Sequence, residues 1–176
     1  MTLNDLNQLD DNAAYDWFET TCAAERWVNA MVTGRPYKSP AEVYSYAVEV
    51  WESLTDSDYR QAFEAHPMIG DVNSLRAKFA NTKTTAASEQ QGAAAASEAT
   101  LQALHTLNHE YLNKHGFIFI ICATGLSADT MLEALQKRLP NDTVSELANA
   151  AAEQIKITLL RLTKALSPAP TQESSS

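Results

Sequence analysis

Apolar residues recur along this chain at intervals of three and four, the period of one helix face, and polar residues fill the gaps. Leu3, Leu6 and Leu9, followed by Tyr15, Phe18 and Cys22, predict two short opening helices, with Asp5 and residues 10–12 as cap or turn positions. The stretch "TGRPYKSP" (33–40) breaks the pattern with Gly34, Pro36 and Pro40. Ser39 ahead of Pro40 reads as an N-cap followed by proline at the first helical position. Val43, Ala47, Val50, Trp51 and Leu54 then form a stripe through the next helix, and "DSDYRQAFEAH" predicts another that runs up to His66. Pro67 stops it, because the residue before a proline is pushed out of the α region.

From Ser74 to Gly116 the composition is helical, interrupted by "TKTT" and Gly92; Leu101, Leu104, Leu107 and Tyr111 make a stripe that ends at Gly116, a C-terminal cap glycine. The run "FIFIICA" (117–123) has strand-like composition but no partner strand, and it reads as a fully buried segment, helical or extended. Met131, Leu132, Leu135 and Leu139 predict a helix up to Pro140. Leu147, Ala151, Ile155, Leu159, Leu162 and Leu166 predict a long final one. "SPAPTQESSS" (167–176) is a polar Pro/Ser-rich tail of the kind that stays disordered. No internal repeat is visible.

Composition agrees with the periodicity. With Gly at 5 and Pro at 6 among 176 residues, the chain lacks the turn residues of a β architecture, so the expectation is an all-α fold, a single compact multi-helix domain over 1–166 with a disordered tail at 167–176. The net charge of −9 and the scattered placement of the 13 basic residues argue against a nucleic-acid partner. The longest apolar run, 117–123, falls far short of the ~20 residues that span a bilayer, so no membrane partner is expected. Cys22 and Cys122 have neither CxxC spacing nor the density of a disulfide framework, which favours a reducing compartment, the cytoplasm.

Candidate chemistry starts at "AHPMIGDV" (65–72), where helix end, His66, Pro67 and Gly70 crowd together. An imidazole held at such a bend can serve a site, or simply meet the negative end of the helix dipole. Glu89 and Gln90 in "SEQQ" pair a carboxylate with an amide, a pattern that equally describes a solvated helix face. His105 and His109 have metal-ligand spacing, but no Cys or third carboxylate stands at ligand distance along the sequence, and surface histidines explain them better. Cys122, inside an apolar run, reads as a packed small hydrophobe. Arg161, in the apolar "ITLLRLTKAL", either snorkels to solvent or waits for an anionic or amide-rich partner.

Taken in order, "AFEAHPMIGD", "EQQG", "LNHEYLNKHGFIFIICATG", "LQKRLPND", "SELANAAAEQ" and "ITLLRL", with "GRPY" after Trp27, resemble the 2-oxo-4-hydroxy-4-carboxy-5-ureidoimidazoline (OHCU) decarboxylase family of ureide metabolism, over roughly residues 3 to 166. The resemblance implies an all-helical carboxy-lyase without a cofactor or metal. Usually a homodimer, such an enzyme decarboxylates the last unstable intermediate of urate degradation to (S)-allantoin. It further implies His66 and Glu89 as catalytic residues, with Pro67, Gln90, Phe119, Ile120, Ile121, Cys122, Ala123 and Arg161 contacting the ureidoimidazoline substrate. This chain departs from the family pattern twice. Ala86 stands where a serine usually precedes the glutamate, with Thr85 and Ser88 as possible stand-ins, and Leu126 where a basic residue often follows the glycine of the "ATG" block. The rival to an enzyme is a helical binding or dimerisation module in which "HPMIGD" is only a turn.

Overall fold

A computed structural model of the chain describes residues 1–67, 73, 75–77 and 97–166. Among them every regular element is a helix: α1 (Leu3–Gln8), α2 (Asp11–Glu19), α3 (Glu25–Thr33), α4 (Pro40–Glu52), α5 (Asp56–Glu64), α6 (Glu98–His115), α7 (Ala128–Arg138) and α8 (Thr143–Ala165). The fold is all-α, as the periodicity and composition predict.

The starts are written in the sequence as capping residues. Side chains of Thr2, Asp10, Ser39, Ser97 and Ser127 each accept a hydrogen bond from the amide three residues on, satisfying one orphan donor of the first turn. Asp142 does the same for Ser145 ahead of α8, at 2.7 Å. The backbone and side-chain bonds from Ser145 hold the Asp142 carboxyl below its ordinary value. Helix α3 has no such signal: Ala24 precedes it and supplies no side-chain cap, and the periodic reading passed over this helix.

By its contacts the chain divides into two compact units, one made of residues 1–65 with those from 151 onward, the other of residues 66–150. Helix α8 crosses the boundary in sequence at Ala150. In the first unit α3 packs on α2, α4 and α5. Its core includes the fully buried Leu6, Phe18, Trp27, Met31, Phe63 and Leu162. Trp27 meets Phe18 edge to face and donates its indole N–H to the carbonyl of Ala47 at 3.1 Å. Trp51 donates likewise to Ala151 at 3.0 Å, so each large ring is buried with its polar atom satisfied. Arg35 donates to the carbonyls of Leu6, Leu9 and Val32 at 2.7–3.1 Å, groups left over where α1 and α3 end. In the second unit α6 packs on α7 over Leu101, Leu104, Tyr111 and Leu135, all nearly or fully buried.

The buried face of α8 differs from the expected stripe. Glu146, Gln154 and Thr158 are buried on it alongside Leu147, Ala151 and Leu162, whereas Ile155 and Leu159 are only half-buried. No helix among the described residues is long and apolar enough to cross a membrane. The tail at 167–176 lies outside the described residues.

Candidate active site

Helix α5 closes at Glu64, where the amide of Ala65 turns back to the carbonyl of Ala62 at 3.3 Å. His66 therefore stands beyond the helix rather than as its last residue, half-buried, followed by an exposed Pro67. The cause is the restriction proline places on its predecessor: His66 cannot take the α conformation easily, so the helix ends before it. Proline also fixes its own φ, and the imidazole is carried on a short, stiff bend.

The second segment to which the resemblance points follows α6. Gly116 takes the left-handed conformation, φ 78°, and its amide donates to Leu112 at 2.9 Å, which ends the helix. Residues 117–123 then run on in neither helix nor strand. The expectation of full burial holds only for Phe117 and Ile120; Ile118, Phe119, Ile121, Cys122 and Ala123 are half-buried. Backbone polar groups of a partly buried irregular segment need partners from elsewhere, and Arg138, the last residue of α7, supplies one by donating from Nη1 to the carbonyl of Ile120 at 2.6 Å. Its guanidinium also lies 4.5 Å from the centre of the Phe119 ring, and that ring meets Tyr111 edge to face at 5.4 Å.

Arg138 is itself held. Its Nε donates to Glu146 Oε1 at 2.8 Å, and the Tyr111 hydroxyl donates to the same oxygen at 2.6 Å. Oε2 accepts from Asn141 at 3.0 Å and Asn149 at 2.8 Å, so both oxygens of a carboxylate with no exposed surface are doubly satisfied. Burial pushes the Glu146 carboxyl up, but the hydrogen bonds from Asn141, Tyr111 and Asn149 and the Arg138 charge outweigh it and hold the group below its ordinary 4.5. Burial and the bond to Glu146 push the Tyr111 phenol well above its ordinary range, which keeps it a donor.

Other expected site residues fall elsewhere. Arg161 belongs to the first unit, is exposed, and donates from Nη1 to the Thr21 carbonyl at 3.4 Å, a position compatible with either reading of this residue. Beside it the Cys22 thiol is pushed up to about 11 by burial, against weaker opposing effects of the Ala24 amide, Thr158 and Arg161, so it is no nucleophile near neutrality. His105 and His109 meet edge to face at 4.7 Å and are half-buried rather than on the surface. No group of three or more possible metal ligands gathers among the described residues. Glu89, Gln90, Ala86 and Gly70 lie outside those residues; Leu126 is half-buried and donates its amide to Ala123 at 3.1 Å.

Sequence reasoning assigned no role to Tyr111, Arg138 or Glu146. A glutamate in the first turn of a helix looks like an ordinary complement to the helix dipole, and an arginine at a helix end looks like the opposite complement. The signal that separates them from surface charges is that Arg138 and Glu146 flank the Pro140 break, which folds the two helix ends back on each other.

Comparison with known proteins identifies the family. A crystal structure of OHCU decarboxylase in the presence of (S)-allantoin superposes with a TM-score of 0.71 and 33% identity, covering 91% of this chain and all of that one, 100%. The uric acid degradation bifunctional protein TTL of Arabidopsis thaliana is 38% identical over 156 residues, 86% of this chain and 47% of the plant protein, so the chain spans about half of that relative's length. The 2-oxo-4-hydroxy-4-carboxy-5-ureidoimidazoline decarboxylase of Haloferax volcanii is 27% identical over 172 residues, 95% of this chain and 97% of its own. The family model described as OHCU decarboxylase matches residues 7–163 of this chain, which therefore belongs to the OHCU decarboxylase family.

Proposed function

We propose that this chain decarboxylates 2-oxo-4-hydroxy-4-carboxy-5-ureidoimidazoline to (S)-allantoin in urate degradation. The observation that carries the reading is the family match across residues 7–163, joined by a fold shared at TM-score 0.71 with an OHCU decarboxylase crystallised in the presence of (S)-allantoin. The substrate ring supplies its own electron sink. When the bond to CO2 breaks, its electron pair forms a C=C bond to the adjacent ring carbon, the C=N pair withdraws onto the ring nitrogen, and that nitrogen takes up a proton from solvent, leaving an enol. That enol becomes the product carbonyl by losing its O–H proton and gaining a proton on the adjacent ring carbon.

The protein's part is to take one proton, deliver another from a single face, and hold the ring still. His66 is the residue for the proton transfers, since imidazole both accepts and donates near neutral pH and the Pro67 bend limits its orientation. Glu89 orients the imidazole or polarises the hydroxyl. Arg161 grips the carboxylate or ureido oxygen through its planar fork. Pro67, Gln90 and residues Phe119, Ile120, Ile121, Cys122 and Ala123 line the substrate, the last five through main-chain groups and apolar side chains that exclude water. The active form is a homodimer in the cytoplasm, and the catalysis needs no metal or cofactor.

The test generates the substrate in situ from urate with urate oxidase and hydroxyisourate hydrolase and follows the circular dichroism of allantoin. Addition of the chain should accelerate formation of the (S) enantiomer, and His66→Asn should abolish the acceleration with unchanged helical content. Spontaneous rates and racemic product in the presence of the chain would remove the assignment.

A further inference from the structure

We propose that Arg138 is a positioning residue for the decarboxylation: it turns the Ile120–Ile121 peptide so that the Ile121 N–H is presented to a carbonyl or carboxylate oxygen of the substrate. The proposal rests on the reading that residues 119–123 contact the ureidoimidazoline. A planar trans peptide carries its C=O and the following N–H on opposite sides. Binding the Ile120 oxygen to Arg138 Nη1 at 2.6 Å therefore fixes the direction of the Ile121 N–H, away from the guanidinium. Residues 117–123 have neither helix nor strand to set that direction.

The geometry suits a device for orientation more than a simple ion pair. One guanidinium spans a buried carboxylate through Nε and a backbone carbonyl through Nη1, with the Phe119 ring against its face. Glu146 cannot drift, because Tyr111, Asn141 and Asn149 hold its oxygens as well. Arg138 thus transmits the rigidity of the α7 and α8 ends to a single peptide plane. Lysine, a point charge on a flexible stem, could neutralise Glu146 but could not hold both acceptors in one plane.

The test compares the wild type with Arg138→Lys and Tyr111→Phe in the coupled assay, each below its own melting temperature, alongside hydrogen exchange of the peptide covering 117–123. For Arg138→Lys, KM should rise about tenfold while kcat changes by less than about threefold, the signature of lost ground-state positioning. Exchange across 117–123 should speed up while α6 stays protected. Tyr111→Phe removes one of the bonds that steady Glu146 and should raise KM about two- to threefold by the same logic. It carries the test alone if Arg138→Lys does not fold. A purely structural role would lower the melting temperature of both variants and leave KM at its wild-type value, which overturns the proposal while the decarboxylase reading stands. A wild-type chain with no activity overturns both.

Discussion

Arg35 in the first unit and Arg138 in the second each donate to backbone carbonyls and to one carboxylate, yet the carboxylates sit in opposite surroundings. Arg35 reaches Asp11 at 2.9 Å, and the Asp11 side chain is 90% exposed. Arg138 reaches Glu146 at 2.8 Å, and the Glu146 side chain is 0% exposed. Water competes for Asp11 and not for Glu146, while both arginine side chains are largely buried, at 7% and 14% exposed. The working partners of Arg35 are accordingly the carbonyls at the ends of α1 and α3, where a cation also complements the helix dipoles. For Arg138 the carboxylate is the anchor, and the Ile120 carbonyl is what it holds in place.

The sharpest way to break the comparison is to remove the buried anion. Glu146→Ala leaves the largely buried Arg138 guanidinium without its counter-charge, and the expected loss is about 3 kcal/mol of folding stability, the lower end for a broken buried pair because Arg138 keeps some exposure. Chemical denaturation reads it directly, and a loss near zero would place water around the pair. Arg35→Met should cost less, about 1.5–3 kcal/mol, because the stranded groups are neutral carbonyls that lose a charged donor. The same denaturation series measures it. If the Arg35 variant proved the more damaging, the contrast would be inverted.

Acid offers a graded version of the first experiment. The folded-state pKa of Glu146 is lowered from 4.5, so its contribution to stability is complete above that value and is lost as pH falls through the depressed one. Glu146→Gln should flatten the acid limb of a stability-versus-pH curve measured between neutrality and pH about 3, and an unaltered limb would show that other carboxylates set it. The smallest effect belongs to Asp11→Asn. Exposed pairs contribute little, and less than about 1 kcal/mol should be lost, fading with added salt.

What could be read from the sequence follows the same division between simple and cooperative signals. Ser39 with Pro40 announces α4 and Gly116 announces the end of α6, because each signal is local and carried by one or two residues. Helix α3 was illegible at its start because Ala24 caps nothing. Its face of Trp27, Val28 and Met31 is held by packing instead. Burial of Glu146, Gln154 and Thr158 on α8 breaks the rule that apolar residues mark the inner face; for Glu146 it is made tolerable by Tyr111 and Arg138, partners from outside the helix that the sequence does not announce. Within the candidate site, His66 and Pro67 were legible as a bend. The conformation of 117–123 was not, since its apolar composition suits a buried helix or strand equally and a donor to its backbone, Arg138, comes from eighteen positions beyond Ile120. The assignment of Glu89 and Gln90 came from resemblance to the family.

The discontinuous first unit bears on how the chain matures during translation. Residues 1–65 leave the ribosome early, but the Ala151 carbonyl that receives the Trp51 indole and the buried Leu162 follow only after the whole of 66–150 has been made. At about 5–20 residues per second, that interval is on the order of ten seconds. Throughout it, the Trp51 indole lacks the carbonyl that accepts from it. The continuous 66–150 unit meets no such delay, so the natural order is for the later-made segment to settle first and the earlier-made one to close last. A nascent chain arrested between those two events is the species a chaperone would encounter.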